Sequence, residues 1–213
     1  IHLIPDLKQF TFAGEVMLLV EAPNAIEVLR LNILELNIIE CTVEQNNDWM
    51  ECQFETDAEK EELQIHLPQK MGGAIRIQVR YEGQINDKMA GFYRSQYSHS
   101  GKSEFIAVTQ FEESDARRAF PCMDHPAKKA TFDISMDIDA DRLAISNGAI
   151  KEEAPLPEGK KRVTFEQTPR MSTYLVFFGV GKFEFTSDSK DPRVRVATLP
   201  GMKPYAMFGL EFG

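Results

Sequence analysis

The segment Val108-Thr-Gln-Phe-Glu-Glu-Ser-Asp-Ala-Arg-Arg-Ala-Phe-Pro-Cys-Met-Asp-His-Pro-Ala-Lys-Lys-Ala-Thr-Phe-Asp-Ile134 decides how this chain is read. It sets carboxylates, two arginines and two prolines between two apolar runs. A plain connection between strands is a few residues long, so a segment of this length needs a task of its own. Outward from it, the sequence reads as strands. Phe10, Phe12, Val16, Leu18 and Val20 share one parity, and Leu63, Ile65 and Leu67 alternate with Gln64 and His66. Ile75, Ile77, Val79 and Tyr81 alternate with Arg76, Gln78 and Arg80, and Phe132, Ile134, Met136 and Ile138 with Asp133, Ser135 and Asp137. Period two buries one face and wets the other, as in antiparallel sheets. Turn-forming clusters fall between the runs at Pro23-Asn24, Asn46-Asn-Asp48, Met71-Gly-Gly73, Ser98-His-Ser-Gly101, Asn147-Gly148 and Pro155 to Gly159. The expected fold is all-β: a saddle-like antiparallel sheet or sandwich with one short helical turn.

That turn is expected in Ser114 to Phe120. Ser114 can cap it, Glu112, Glu113 and Asp115 suit its positive end, and Pro121 stops it. Met171-Ser-Thr-Tyr-Leu175 reads as a buried strand whose hydroxyls need partners. Thr186 to Pro192 reads as an exposed hairpin tip, and a helix is expected to begin near Met202.

Composition narrows the function. The chain has 213 residues, 43% of them apolar, enough for one all-β domain with a sizeable core. Its 33 acidic residues against 24 basic ones give a net charge of −9. That argues against nucleic acid, which needs clustered Lys and Arg, and against an anionic membrane surface. Acidity fits solubility and, more weakly, cationic substrates. Cys41, Cys52 and Cys122 make an odd count without metal-like spacing, which fits a reducing compartment and a cytoplasmic location. The longest apolar runs, such as Tyr174 to Val180, are too short to span a bilayer.

The 108–134 segment also resembles a family signature, that of the gluzincin-type zinc aminopeptidases, in their puromycin-sensitive, cytosolic branch. Asn86-Asp-Lys-Met-Ala-Gly-Phe-Tyr-Arg-Ser95 and Thr168-Pro-Arg-Met-Ser-Thr-Tyr-Leu-Val176 resemble two further motifs of that family. Pro5 to Gly14 is similar to its first strand pair, and Thr198 to Glu211 to the point where it leaves its first domain. The resemblance covers nearly the whole chain but only the amino-terminal domain of such an enzyme. It implies a parent that removes amino-terminal residues from peptides, with zinc as its cofactor.

The resemblance also assigns site residues. Glu112 is expected to bind the free α-ammonium of a peptide substrate, and Gln110 to line the pocket for the first side chain. A fixed carboxylate suits that task, because it gives an ammonium a strong charge-assisted hydrogen bond. The plainer reading makes Glu112 a charge that dresses the start of the helical turn. Arg117, Arg118, Asp115 and Asp124 read as structural, with one bidentate Arg–carboxylate pair expected to pin the loop, its members left open. The segment departs from the family pattern at Glu113, where Pro is usual, and at Met123, His125 and Lys128. The proline's replacement is expected to free the backbone beside Glu112. His125 as a metal ligand is the sharper alternative to a plain surface histidine. Asn86 to Ser95 can present Tyr93 and Arg94 to a neighbouring domain, with packing as the default.

What the chain lacks sets its limits. A zinc peptidase of this type needs H-E-x-x-H on a helix, two ligands one turn apart and a glutamate that activates water. The four histidines, His2, His66, His99 and His125, include no pair at that spacing, and none is followed by Glu. The family's G-x-M-x-N substrate loop is absent as well. Residues 1–213 therefore read as one amino-terminal β domain cut from a larger enzyme, with no initiator methionine. On its own the segment is expected to bind no zinc and cleave nothing. Its partners are then the parent's catalytic domain and peptides with a free N-terminus. Two rivals share the sequence: a non-catalytic scaffold on the same fold, and a carbohydrate-binding β-sandwich, for which the single Trp49 is a poor aromatic platform.

Overall fold

The computed structural model describes residues 1–212. Its strands are, in chain order, β1 (His2–Asp6), β2 (Thr11–Asn32), β3 (Leu36–Gln45), β4 (Asp48–Glu51), β5 (Gln53–Asp57), β6 (Glu62–Gln84), β7 (Gly91–His99) and β8 (Lys102–Gln110). After the long segment come β9 (Ser135–Asp139), β10 (Leu143–Ser146), β11 (Ile150–Leu156), β12 (Lys160–Phe165), β13 (Phe178–Gly181), β14 (Glu184–Ser187) and β15 (Arg195–Thr198). The main sheet runs β11-β12-β9-β1-β2-β6-β3-β4, with β5 paired to β6. A second sheet runs β10-β13-β8-β7, and β14 and β15 pair on their own. All pairings are antiparallel except β1 with β9. The fold is all-β, as the period-two pattern predicts.

The alternating runs bury the faces they should. Ile75, Ile77, Val79 and Tyr81 are buried while Arg76 and Arg80 reach the surface and pair with Glu44 and Glu40. The same holds for Leu63, Ile65 and Leu67, and for Phe132, Ile134, Met136 and Ile138. Asp137 is also buried, yet it is answered by a bidentate Arg162 at 2.6 and 2.8 Å. A charged group can be buried only with such compensation.

Two expected turns are not turns. Pro23-Asn24 lies inside β2, a strand of 22 residues, and Met71-Gly-Gly73 lies inside β6, of 23. The register breaks between Ala22 and Ile26, opposite Gly73 and Met71, and then resumes. Each break-forming cluster faces the other, so the two irregularities share one position and the ribbon continues past it. Such bulges bend the strands they interrupt. The Asn46–Asn47 turn is a true hairpin, with φ of 53° and 69°, which asparagine tolerates. Ser100–Gly101 and Glu158–Gly159 close the β7–β8 and β11–β12 hairpins in the same way. Thr186 to Pro192 joins β14 to β15 as expected.

Helix is scarce, and the helix expected to begin near Met202 is present as a 3₁₀ turn running into an α-helix. Short 3₁₀ turns occupy Ala116–Arg118, Thr173–Leu175 and Lys203–Tyr205, and α1 spans Ala206–Phe212. The second of these replaces the strand expected at Met171 to Leu175. The hydroxyls there do find partners. Ser172 donates to Pro126 O at 2.7 Å, and Thr173 donates to Asp124 at 2.7 Å.

A chain of edge-to-face rings ties the long segment to the sheets. Phe12 of β2 meets Phe92 of β7, which meets Phe178 of β13. Phe178 meets Phe111, Phe111 meets Phe120, and Phe120 meets Phe132. Centroid spacings of 5.1–6.3 Å suit the aromatic quadrupoles. Phe111 and Phe120 thus anchor both ends of the stretch that holds the candidate site.

Candidate functional site

Gln110 is the last residue of β8 and pairs with Gly91 of β7. Beyond it the chain leaves the sheet with the strand's alternation still in force. Gln110 and Glu112 are exposed, and Phe111 between them is buried. The Glu112–Glu113 peptide is cis. Neither the Gln110 amide nor the Glu112 carboxylate has a side-chain hydrogen bond or ion pair among the described residues. The following 3₁₀ turn begins after Asp115, has no side-chain cap and carries no acidic residue in its first turn. Ser114 therefore does not cap it, contrary to expectation, and Glu112 does not dress it. The turn is closed by backbone bonds, with Asp115 N donating to Phe111 O at 3.0 Å and Arg118 N to Asp115 O at 3.1 Å.

The charges from Asp115 to Asp124 are all engaged. Asp124 has a side chain only 1% exposed, and it accepts from Arg117 Nε at 3.1 Å, Arg117 N at 3.3 Å and Thr173 Oγ1 at 2.7 Å. Its backbone N–H donates to Asn32 Oδ1 at 3.1 Å. Arg117 also reaches Glu61 at 2.7 Å. Arg118 reaches Asp115 at 2.7 Å through Nε and Glu35 at 2.7 Å through Nη1. Burial disfavours both guanidinium charges, but the four carboxylates more than offset it and raise both pKa values. In place of the one bidentate pair expected, both arginines pair with a carboxylate inside the loop, each through a single Nε bond. The loop also bonds to the end of β2, where Asn32 N donates to Cys122 O at 2.7 Å and Leu34 N to Arg117 O at 2.9 Å.

Other singled-out residues are structural. Arg94 donates to Ile85 O at 2.6 Å and to Asp87, and stacks 4.4 Å from the Phe10 ring centre. Cys122 is a buried free thiol, and burial pushes its pKa up. Cys41 and Cys52 are also free and buried. His125 Nδ1 accepts from Ala127 N at 3.1 Å in a local turn.

The histidines do not fit a zinc site. His2 bonds Ser135 at 2.8 Å and lies 3.4 Å from Asp137, while His66 lies 3.7 Å from Glu55 and His125 serves its turn. Among the described residues, no three His, Cys, Asp or Glu side chains converge to hold a metal. No helix among them is long and apolar enough to cross a membrane.

A cleft of about 900 Å³ lies beside the loop, lined by Glu35, Asn86, Lys88, Arg94 and Arg118 among others. Another, of about 630 Å³, lies at Cys52 and His66. Gln110 and Glu112 line neither of these two clefts, and both are exposed.

Comparison with known families settles what carries this loop. The sequence model of the peptidase M1 N-terminal domain matches residues 1–175. The chain belongs to that family. Curated relatives of this M1 N-terminal domain include the puromycin-sensitive aminopeptidase of Caenorhabditis elegans, 37% identical over 99% of this chain and 23% of its own length. Aminopeptidase 2 of Candida albicans is 36% identical over 92% of this chain and 21% of its own. Aminopeptidase M1 of Arabidopsis thaliana is 35% identical over 100% of this chain and 25% of its own. The M1 N-terminal domain described here thus spans about a quarter of the length of these aminopeptidases.

Sequence reasoning missed the residues that hold the loop from afar. Glu35, Glu61 and Asn32 lie in or beside distant strands, and nothing next to them in sequence marks a partner 56 or more residues away. Thr173 had a signal, a hydroxyl in an apolar run that needs a bond.

Proposed function

We propose that residues 1–213 are one amino-terminal β domain of a larger zinc aminopeptidase, and that Glu112 anchors the substrate's free α-ammonium. Gln110 then borders the first side chain and sets preference among residues. The observation that carries this reading is an exposed carboxylate without a partner, at the end of a loop where every neighbouring arginine is already matched by carboxylates. A peptide's ammonium supplies the missing partner through a charge-assisted hydrogen bond. The relatives' names, all aminopeptidases, supply the reaction: release of amino-terminal residues from peptides.

The zinc belongs to the catalytic domain of the larger protein, where it would supply the Lewis acid for peptide hydrolysis. No ligand set for it converges among the described residues, and the chain alone is proposed to be inactive. Its own work is to bind, orient and border one side of the cleft. The acidic composition suits cationic substrate ends, and the three reduced cysteines suit a cytoplasmic location.

The test is steady-state kinetics on Glu112→Ala, Gln110→Ala and Glu113→Ala in the full-length protein, with one series of aminoacyl anilides. Glu112→Ala is expected to weaken turnover with folding and zinc content intact, and Gln110→Ala to change side-chain preference. Equal behaviour of Glu112→Ala and Glu113→Ala sinks the amine anchor.

A further inference from the structure

We infer that Arg118 is the positioning residue of this site, a single side chain that fixes both Gln110 and Glu112 while touching no substrate. The inference rests on the reading of those two residues given above. The head of Arg118 holds the turn that follows Glu112. Its Nε donates to Asp115 Oδ1 at 2.7 Å, and the Asp115 N–H closes the turn on Phe111 O at 3.0 Å. Its stem lies on the other site residue's support. A Cβ placed on Gly91, the cross-strand partner of Gln110, would sit 2.6 Å from Arg118 Cβ and 3.0 Å from its Cδ. Gly91 has φ +69°, a conformation that glycine adopts freely. Backbone and arginine stem therefore meet with no side chain between them.

The far end of the guanidinium makes an ion contact out of hydrogen-bond alignment. Nη1 lies 2.7 Å from Glu35 Oε2, and Glu35 also accepts from Lys88 Nζ at 3.0 Å. One planar group thus spans two carboxylates on different parts of the chain. A lysine, with a single point charge, can satisfy one of them but not both directions at once. The two carboxylates also occupy the positive charge of Arg118. Arg117, the cation nearest in sequence to Glu112, is likewise held by Glu61 and Asp124, so Glu112 stays available to an ammonium.

The test uses the full-length protein with Arg118→Lys, Glu112→Ala and the double variant, reading kcat, KM and the thermal midpoint on an aminoacyl anilide. Arg118→Lys is expected to raise KM about tenfold with kcat within about twofold, since misplacing a binding group weakens binding more than chemistry. In the Glu112→Ala background the same change is expected to raise KM by no more than about twofold, the part carried by Gln110, because most of it acts through Glu112. An unchanged KM in Arg118→Lys, or an equal loss in both backgrounds, overturns the inference and leaves Arg118 a general brace. If Arg118→Lys shows no cooperative melting, Glu35→Gln replaces it, with an expected KM rise of about threefold that falls below about 1.5-fold in the Glu112→Ala background. A loss that persists there in full, or no rise at all, overturns the inference equally. If Glu112→Ala alone leaves both kcat and KM unchanged, the amine anchor fails and the inference falls with it. If Glu112→Ala is impaired and Arg118→Lys is not, only the positioning role falls.

Discussion

The loop after β8 has two halves made of the same residue types and built to opposite ends. From Asp115 to Asp124 each charge has a partner, and the Asp124 carboxylate accepts three bonds, from Arg117 and Thr173. At Gln110 and Glu112 the polar side chains stand exposed with none. Buried polar groups must be satisfied within the protein, whereas an exposed carboxylate can wait for a ligand. The paired half makes the loop rigid, and the unpaired half is then held out in a fixed place. Position along the loop, rather than residue type, decides whether a carboxylate supports the fold or serves the surface.

The strongest attempt to break this contrast is Asp124→Ala. It strands Arg117 with one carboxylate, leaves Thr173 without its acceptor and opens a buried gap. The expected loss is about 3 kcal/mol, read by urea unfolding of the 213-residue chain. A loss below about 1 kcal/mol would mean that the network is decoration.

Glu112→Ala is the mirror case. Stability is expected to stay within about 0.5 kcal/mol, since the carboxylate holds nothing. In the full-length protein kcat/KM is expected to fall roughly ten- to a hundredfold, the loss of a charged partner worth about 1.5–3 kcal/mol. A variant that loses stability instead would move Glu112 to the paired half.

The paired half also carries a pH signature. Lys88 and then Arg118 hold the Glu35 carboxyl below its ordinary value of 4.5, against the opposing effect of burial. A depressed folded-state pKa gives stability that is present in full above the unfolded value and is lost as pH falls through the folded one. The stability gap between wild type and Glu35→Gln is therefore expected to be constant near neutrality. It should start to close below about pH 4.5 and vanish beneath the lowered folded value. Unfolding curves of both proteins from pH 7 to 3 check this, and a gap that widens with acid would contradict it. The smallest effect is reserved for Glu113→Ala, exposed beside Glu112 and bonded to nothing described. Stability is expected to change by less than about 0.5 kcal/mol, and activity not at all.

The two halves also differ in how far the sequence reveals them. Alternation made the strands legible, because burial of one sheet face writes itself into every second residue, as at Ile75, Ile77, Val79 and Tyr81. It failed at Pro23 and Gly73, since a bulge and a turn use the same residues and only the pairing of β2 with β6 tells them apart. The loop's two arginines and their nearby carboxylates were legible as a bracing set. Glu35 and Glu61 were not, because nothing local distinguishes an acidic residue at a strand end from solvated surface. Ser114 looked like a cap, but the turn that forms is a short 3₁₀ segment closed by backbone bonds.

The interruption shared by β2 and β6 has a consequence for how this domain can change over generations. A sheet normally resists insertion or deletion, because one added residue turns every later side chain to the opposite face. At Ala22–Ile26 and Gly73–Met71 that count is already suspended on both strands and restarts at Val28 and His66. Length can vary there without inverting the faces on either side. Beyond the interruption lies the ribbon end that receives the loop through Asn32, and before it lies the body of the sheet. The joint therefore lets the scaffold drift in size while the footing of the binding loop keeps its phase.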